Sequence, residues 1–427
     1  MSARFPVLLT LLLACLPGWA GAQTAGADLP AGTAADTAAE GEVTPQQALY
    51  QTALQSLAEG RKSDASKALS RLIEQEPEHA GAWLDLALIQ CSLGHGDEAE
   101  RLFANVETRF SPSREILELI SEARDSGCQA WRPSSSLSVS LGRGIDDNVN
   151  QGASNSTFIV TGPDGDIELP LLADFLPQRD QYTTVSADYV RDVTANGSLG
   201  FVQVLGRRYD QMRGYDTAAL YAGIESPWRF GEWALRTTGT AGVTTLGGRL
   251  YQKQTQLQAR LAPPLPLPPR TQLYLTASAT HTDYVSLPAF NANVLEARAQ
   301  VTHQLGVLAA SATGGLLSDQ ARGDRPGGNR HGNYLTVSLR RPLGWNLSGD
   351  LSYTRQSWDS ASAYSPELLI DQIRSQRTQV VRAGLAWQIS KYQSVVLEGR
   401  AVRNRENISI FQYNNRQLQL SWQWRYP

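Results

Sequence analysis

Cysteine is nearly absent from this chain, with three in 427 residues: Cys15, Cys91 and Cys128. So few exclude a scaffold built from disulfides and a thiolate metal cluster. Histidine is as thin, and His79, His95, His281, His303 and His331 stand at no metal-ligand spacing from one another. No metal or other cofactor is expected. Charge of neither sign dominates: 38 basic residues face 41 acidic ones, for a net charge of −3, which gives no footprint for nucleic acid. Long apolar runs are missing too. Beyond Val7 to Ala14 nothing approaches the length of a membrane-spanning helix, so a crossing would have to use strands.

What is present begins with an export signal. Met1 to Arg4, the apolar run that follows and Ala20-Gly-Ala22 before Gln23 mark residues 1–22 as a signal peptide. Leu12-Leu13-Ala14 before Cys15 also permits a lipoprotein-type cleavage. Residues 23–43, mostly Ala, Gly, Thr, Asp and Glu, have too little apolar surface to order themselves and read as a disordered linker. In an exported compartment Cys91 and Cys128 stand either as a disulfide or as two lone thiols.

Residues 44–130 carry a helical pattern that repeats. Leu49 and Trp83, Ala53 and Ala87, Gly60 and Gly94, Ala65 and Ala99, and Leu69 and Phe103 are each 34 positions apart. Small residues fall where helices would cross and large ones between them. On Trp83-x-x-Leu86-Ala87, Gly94, Ala99, Phe103 and the prolines Pro77 and Pro112, this part resembles the tetratricopeptide repeats. A further helix from Ser113, with Ser as N-cap and Glu115 in its first turn, is expected to cap the stack.

From about residue 134 to Pro427 the period becomes two. Tyr251 to Leu261 alternates an apolar-leaning face with Gln252, Gln254, Gln256, Gln258 and Arg260, and the pattern returns in segments of roughly ten residues, as in a transmembrane β-barrel. Turn chemistry divides the stretch into about fourteen strands. The expected fold is therefore multidomain α plus all-β: a short periplasmic α-solenoid followed by a 14-stranded antiparallel outer-membrane barrel. Connections Ile145–Asp180, Tyr284–Ala292, Ser318–Gly332, Asp359–Gln376 and Arg405–Gln412 are long. Those of the other parity, such as Thr194–Gly197, Gly306-Val307 and Leu343-Gly344, are short. Short turns belong to the periplasmic side, which places the helices there. Leu257, Leu275, Leu335, Leu385, Leu418, Leu420 and Trp422 are expected to face lipid. Arg236, Gln254, Gln256, Gln258, Arg260, Glu296, Arg298, Arg382, Glu398 and Arg400 are the candidates to line the lumen.

Catalysis is not expected. A barrel phospholipase would need Ser and His on adjacent outward faces, and only His303 comes near that pattern. Asp164-Gly165-Asp166 and Asp146-Asp147-Asn148 complete no calcium-loop motif and read as turn caps. The final strand alternates Leu418, Leu420, Trp422, Trp424 and Tyr426, the pattern by which barrel-assembly machinery recognises a client, although Pro427 replaces the usual terminal aromatic.

Gly142, Asp146, Asn148, Val149 and Asn150 follow the first strand as Gly-x-x-x-Asp-x-Asn-Val-Asn. With the helical repeats and the barrel, this motif resembles the surface lipoprotein assembly modulator (Slam) family. The resemblance implies a monomeric outer-membrane translocator, in contact with membrane lipid, that displays or exports a client lipoprotein or secreted protein. Exopolysaccharide exporters also join such repeats to a barrel, so a polysaccharide cargo is the alternative, and a plain diffusion porin is a third reading.

Overall fold

The computed structural model describes residues 45–128, 133–162, 165–365 and 370–426. The expected signal peptide, the linker and Pro427 lie outside them. Helices α1 (Pro45–Ala58), α2 (Lys62–Gln75), α3 (Ala80–Ser92), α4 (Gly96–Phe110) and α5 (Arg114–Asp125) come first. Their core joins Ala53, Ala65, Leu69, Leu72, Leu86, Ala87, Ala99, Phe103, Val106 and Ile120, with Leu49 and Trp83 packed against it. Alanines at the crossings let the helix axes approach, and the large residues fill the spaces between. Gly60 and Gly94 stand in the turns after α1 and α3 with φ of 77° and 83°.

The last helix is held from two sides. Arg124 donates to Glu107 at 2.7 Å and to Glu100 at 2.7 Å on α4. The two carboxylates raise the pKa of Arg124 further above its ordinary value. Cys91 on α3 and Cys128 beyond α5 form a disulfide, which settles the choice between bridge and lone thiols. Ser113 precedes α5 but makes no side-chain cap bond to the helix. Instead its hydroxyl, with the Glu115 backbone N–H, holds the Glu115 carboxyl below its ordinary value.

Fourteen strands form one closed barrel: β1 (Ser135–Asp146), β4 (Asp180–Asp192), β5 (Leu199–Tyr209), β6 (Thr217–Phe230), β7 (Trp233–Leu246), β8 (Arg249–Ala262) and β9 (Thr271–Tyr284) make one half. The other half comprises β10 (Ala292–Leu305), β11 (Leu308–Ala321), β12 (Arg330–Gly344), β13 (Leu347–Ser365), β14 (Ile370–Ser390), β15 (Gln393–Glu406) and β16 (Tyr413–Tyr426). Each pairs antiparallel with its neighbours, and β1 closes the wall by pairing with β16 as well as β4. Closure leaves no free strand edge, the condition for crossing lipid with strands. The fold is thus five helices followed by a 14-stranded barrel, as the two periods in the sequence imply.

Three details differ from the sequence reading. Residues 157–162 and 165–170 form an extra hairpin, β2 (Thr157–Gly162) with β3 (Gly165–Pro170), inside the first long connection. Strand β12 runs through Gly344, and the turn is Trp345-Asn346, with φ of 51° and 60°. Both central residues at positive φ suit a two-residue hairpin, which Asn tolerates well. The long connections shorten because β11 to β14 extend beyond the apolar segments, and one connection on their side, Gly247-Gly248, has only two residues. Length parity is therefore a tendency here rather than a rule. The helices sit at the end bearing Thr194–Gly197 and Trp345-Asn346, the proximal mouth; the other end is the distal mouth.

Candidate functional site

The motif residues converge on the inner wall where β1 meets β16. Gly142 and Gly144 leave space on that wall: a Cβ at Gly144 would lie 2.5 Å from the Tyr182 ring and 2.9 Å from the Leu418 carbonyl. Tyr182 fills the gap, edge-on to Tyr209 with ring centroids 5.7 Å apart. Val149 packs into the same cluster. Asp146, 2% exposed, is surrounded by donors. Its Oδ1 accepts from the Asn148 N–H at 3.0 Å and Asn415 Nδ2 at 2.9 Å. Its Oδ2 accepts from the Tyr209 hydroxyl at 3.0 Å and Gln417 Nε2 at 2.8 Å. Arg207 adds a cation at 3.9 Å.

Two asparagines then stitch the loop shut. Asn148 Nδ2 donates to the carbonyls of Gly152 at 3.0 Å and Asn414 at 2.8 Å, while its Oδ1 accepts from the Gly152 N–H at 2.6 Å. Asn150 Nδ2 donates to the Asp174 and Leu176 carbonyls at 3.0 and 2.8 Å, and its Oδ1 accepts from the Gln178 N–H at 3.0 Å. Short amides can serve backbone donors and acceptors at once, which is what an irregular buried loop requires. Gly152 must be glycine, because a Cβ there would lie 2.2 Å from the Leu176 carbonyl carbon. Further round the distal mouth, buried Arg374 pairs with Glu406 at 2.5 Å and Asp319 pairs with Arg325 at 2.8 Å and Arg330 at 2.5 Å. Phe158 of β2 packs there against Tyr364, Ile408 and Phe411.

The proximal mouth is joined to the helices. Arg229, in the β6–β7 hairpin, donates to Glu59 Oε1 at 2.7 Å and to Gln55. Its own Nε is held by the Gly231 carbonyl at 2.9 Å, so the guanidinium is positioned before it meets the helix. Glu59 also accepts from Arg61 at 2.7 Å, and Arg61 reaches Asp64 at 2.8 Å. Asn196 donates to Asp64 at 3.5 Å. The sequence reading missed Arg229, Glu59, Tyr209 and Asn415, and it placed Gln417 on the lumen face without its contact to Asp146. The Gln417-x-Gln419 alternation is what put Gln417 on that face.

Between the mouths the candidate lumen residues meet one another. Arg236 pairs with Glu225 at 2.7 Å and Arg382 with Glu398 at 3.4 Å. Glu296 accepts from Tyr334 at 2.5 Å and stands 3.5 Å from Arg298, which donates to Gln258 at 3.0 Å. Arg260 lies 3.9 Å above the Tyr274 ring. Gln254 and Gln256 share that face of β8, half-buried, while Thr255 between them and Leu257 beyond are exposed. Arg400 stands opposite Arg382 in the register. Among the described residues no group of three or more His, Cys, Asp or Glu side chains could hold a metal ion.

One family model covers most of the helical stack. Residues 56–122 match the family model described as Tetratricopeptide repeat. No curated protein matches the chain. Among solved structures, the barrel is similar to an anion-selective porin from Comamonas acidovorans, at 9% identity and a TM-score of 0.38, over 69% of this chain and 100% of that one. It is also similar to the outer membrane channel DcaP of Acinetobacter baumannii, at 10% identity and 0.40, over 69% and 97%. At these values the likeness says nothing of cargo.

Proposed function

We propose that this chain is an outer-membrane translocator whose helical domain receives a client lipoprotein or secreted protein in the periplasm and passes it through or along the barrel. The seam at the proximal mouth carries the reading: Arg229 holds Glu59 and Gln55 of the repeat stack against the rim. A diffusion pore has no use for a solenoid tied to its opening, whereas stacked repeats offer an extended concave surface for a polypeptide. The membrane setting is supported by the closed wall and by the outward row Leu257, Leu275, Leu335, Leu385 and Leu418, all exposed, with Trp387, Trp422 and Tyr426 toward the strand ends. The Slam-like residues Gly142, Asp146, Asn148, Val149 and Asn150 favour a lipoprotein client. The inward Tyr274 ring beneath Arg260 favours the second reading, passage of a polysaccharide.

Removal of residues 45–128 tests the proposal. Surface display of the client is expected to fall severely while the barrel still inserts and keeps its heat-modifiable migration. Full display from the isolated barrel would overturn it, and loss of exported polysaccharide with client display intact would favour the second reading.

A further inference from the structure

The outer wall is polar at its distal edge, and the two arcs of that edge are built differently. On β8 to β11 the outward charges answer one another. Asp283 pairs with Arg322 at 2.9 Å and with His281 at 3.3 Å, and Lys253 stands opposite Asp283 in the register. On β13 to β16 they do not. Arg355, Arg377, Arg403, Arg405 and Arg416 are all exposed. Strand alternation puts them on the same face as Tyr353, Val381, Leu397 and Leu418, the exposed apolar residues below. None of the five guanidiniums makes an ion pair or side-chain hydrogen bond among the described residues. An outward carboxylate, Asp359, lies two positions along β13 from Ser357, the partner of Arg377, and pairs with none of them.

Their spacing is close. Arg377 and Arg405 are direct cross-strand partners. Gln379 links Arg355 and Arg403 in one row, and Arg403 and Arg416 are diagonal neighbours through Asn414 and Ala401. Directly opposed like charges destabilise a strand pair. An anion between them would remove that repulsion, and the guanidinium fork suits the oxygens of phosphate. Immediately below, the apolar wall suits acyl chains.

We propose that the outward face of β13–β16 binds the phosphate groups of outer-leaflet lipids, with the acyl chains lying on the apolar wall beneath. The proposal rests on the membrane-spanning reading of the barrel. The test uses the full chain, purified in a neutral detergent from the outer-membrane fraction, with bis-phosphorylated lipid A, the same glycolipid stripped of phosphate, and inorganic phosphate as probes. Native mass spectrometry is expected to retain the phosphorylated glycolipid, and Arg377→Gln with Arg405→Gln is expected to weaken that binding about tenfold or more. In lipid-free detergent the single change Arg377→Gln is expected to raise the unfolding temperature, because it removes an opposed cation; with the phosphorylated lipid present it is expected to lower it. That reversal of sign does not depend on the double variant folding, and Arg377→Lys with Arg405→Lys, which keeps both charges, is expected to retain most of the binding. Equal binding of the two glycolipids, no effect of the double variant, or an equal response to inorganic phosphate would overturn the lipid assignment alone. Absence of the chain from the outer-membrane fraction would overturn the membrane reading with it.

Discussion

At the distal mouth Asp146 accepts hydrogen bonds from its own loop, from β5 and from β16. At the proximal mouth the helical domain meets the barrel chiefly through one arginine. Both contacts are polar, yet their consequences differ. A buried carboxylate that leaves its donors leaves several unsatisfied groups behind, and no single water replaces them. Glu59 is about a quarter exposed and keeps Arg61 when Arg229 departs, so the seam has a fallback. The distal loop is therefore a fixed part of the wall, and the proximal seam is the place where parts can separate. For the proposed translocator that would be a useful division, since a client held by the helices would have to be released toward the barrel.

The largest effect is expected from Asp146→Ala. Removing a buried anion from four donors and a nearby arginine is expected to cost about 3–5 kcal/mol, read as a lower unfolding temperature in heat-modifiable migration. Client display is expected to fall more than barrel abundance when both are measured on the same cells. An unchanged unfolding temperature would remove the contrast between the two mouths.

From the residues alone Asp146 reads as a turn cap worth about 1 kcal/mol. The difference comes from Tyr209, Asn415 and Gln417, which lie 63, 269 and 271 positions away. Local pattern carries the fold well, because the periods of two and of 34 residues act through neighbouring residues. It carried the Trp345-Asn346 turn badly, since an exposed Trp at positive φ has no signature distinct from a strand end. It also cut the distal ends of β13 and β14 short: the residues left out, Arg374 and Gln376 among them, are polar and look like loop although they are buried. The same reason hid the hairpin of β2 and β3 and the bond between Arg229 and Glu59, which are 170 positions apart. The outward arginines were visible as residues, but their face and their missing partners needed the register.

A middle-sized effect is expected at the seam. Arg229→Ala removes charge-assisted bonds to Glu59 and Gln55, worth about 2 kcal/mol, and is expected to speed proteolytic release of the helices while leaving the unfolding temperature of the barrel unchanged. Added salt should act in the same direction on the native protein, because a partly exposed pair is screened. If Arg229→Ala instead lowered barrel stability as much as Asp146→Ala, the seam would be part of the wall.

The smallest effect is expected within the helices, at Tyr50. Its hydroxyl donates to Asp85 Oδ2 at 2.7 Å, and burial together with that acceptor pushes its pKa up to about 12 from an ordinary 10.0. The folded domain therefore holds this proton over a pH range in which the unfolded chain has lost it. Folding binds more protons there, so helical stability falls as pH rises from about 10 to about 12; below that window the Tyr50 contribution is fully present and does not vary with pH. Tyr50→Phe should lose about 1 kcal/mol at neutral pH, for the missing hydrogen bond, and should show a flatter alkaline decline in helical ellipticity. Because the seam is separable, the loss of helix in the native protein is expected to precede any change in the heat-modifiable migration of the barrel. Helices and barrel failing together at one pH would mean that Arg229 couples them rigidly, and the release step would then have to lie elsewhere.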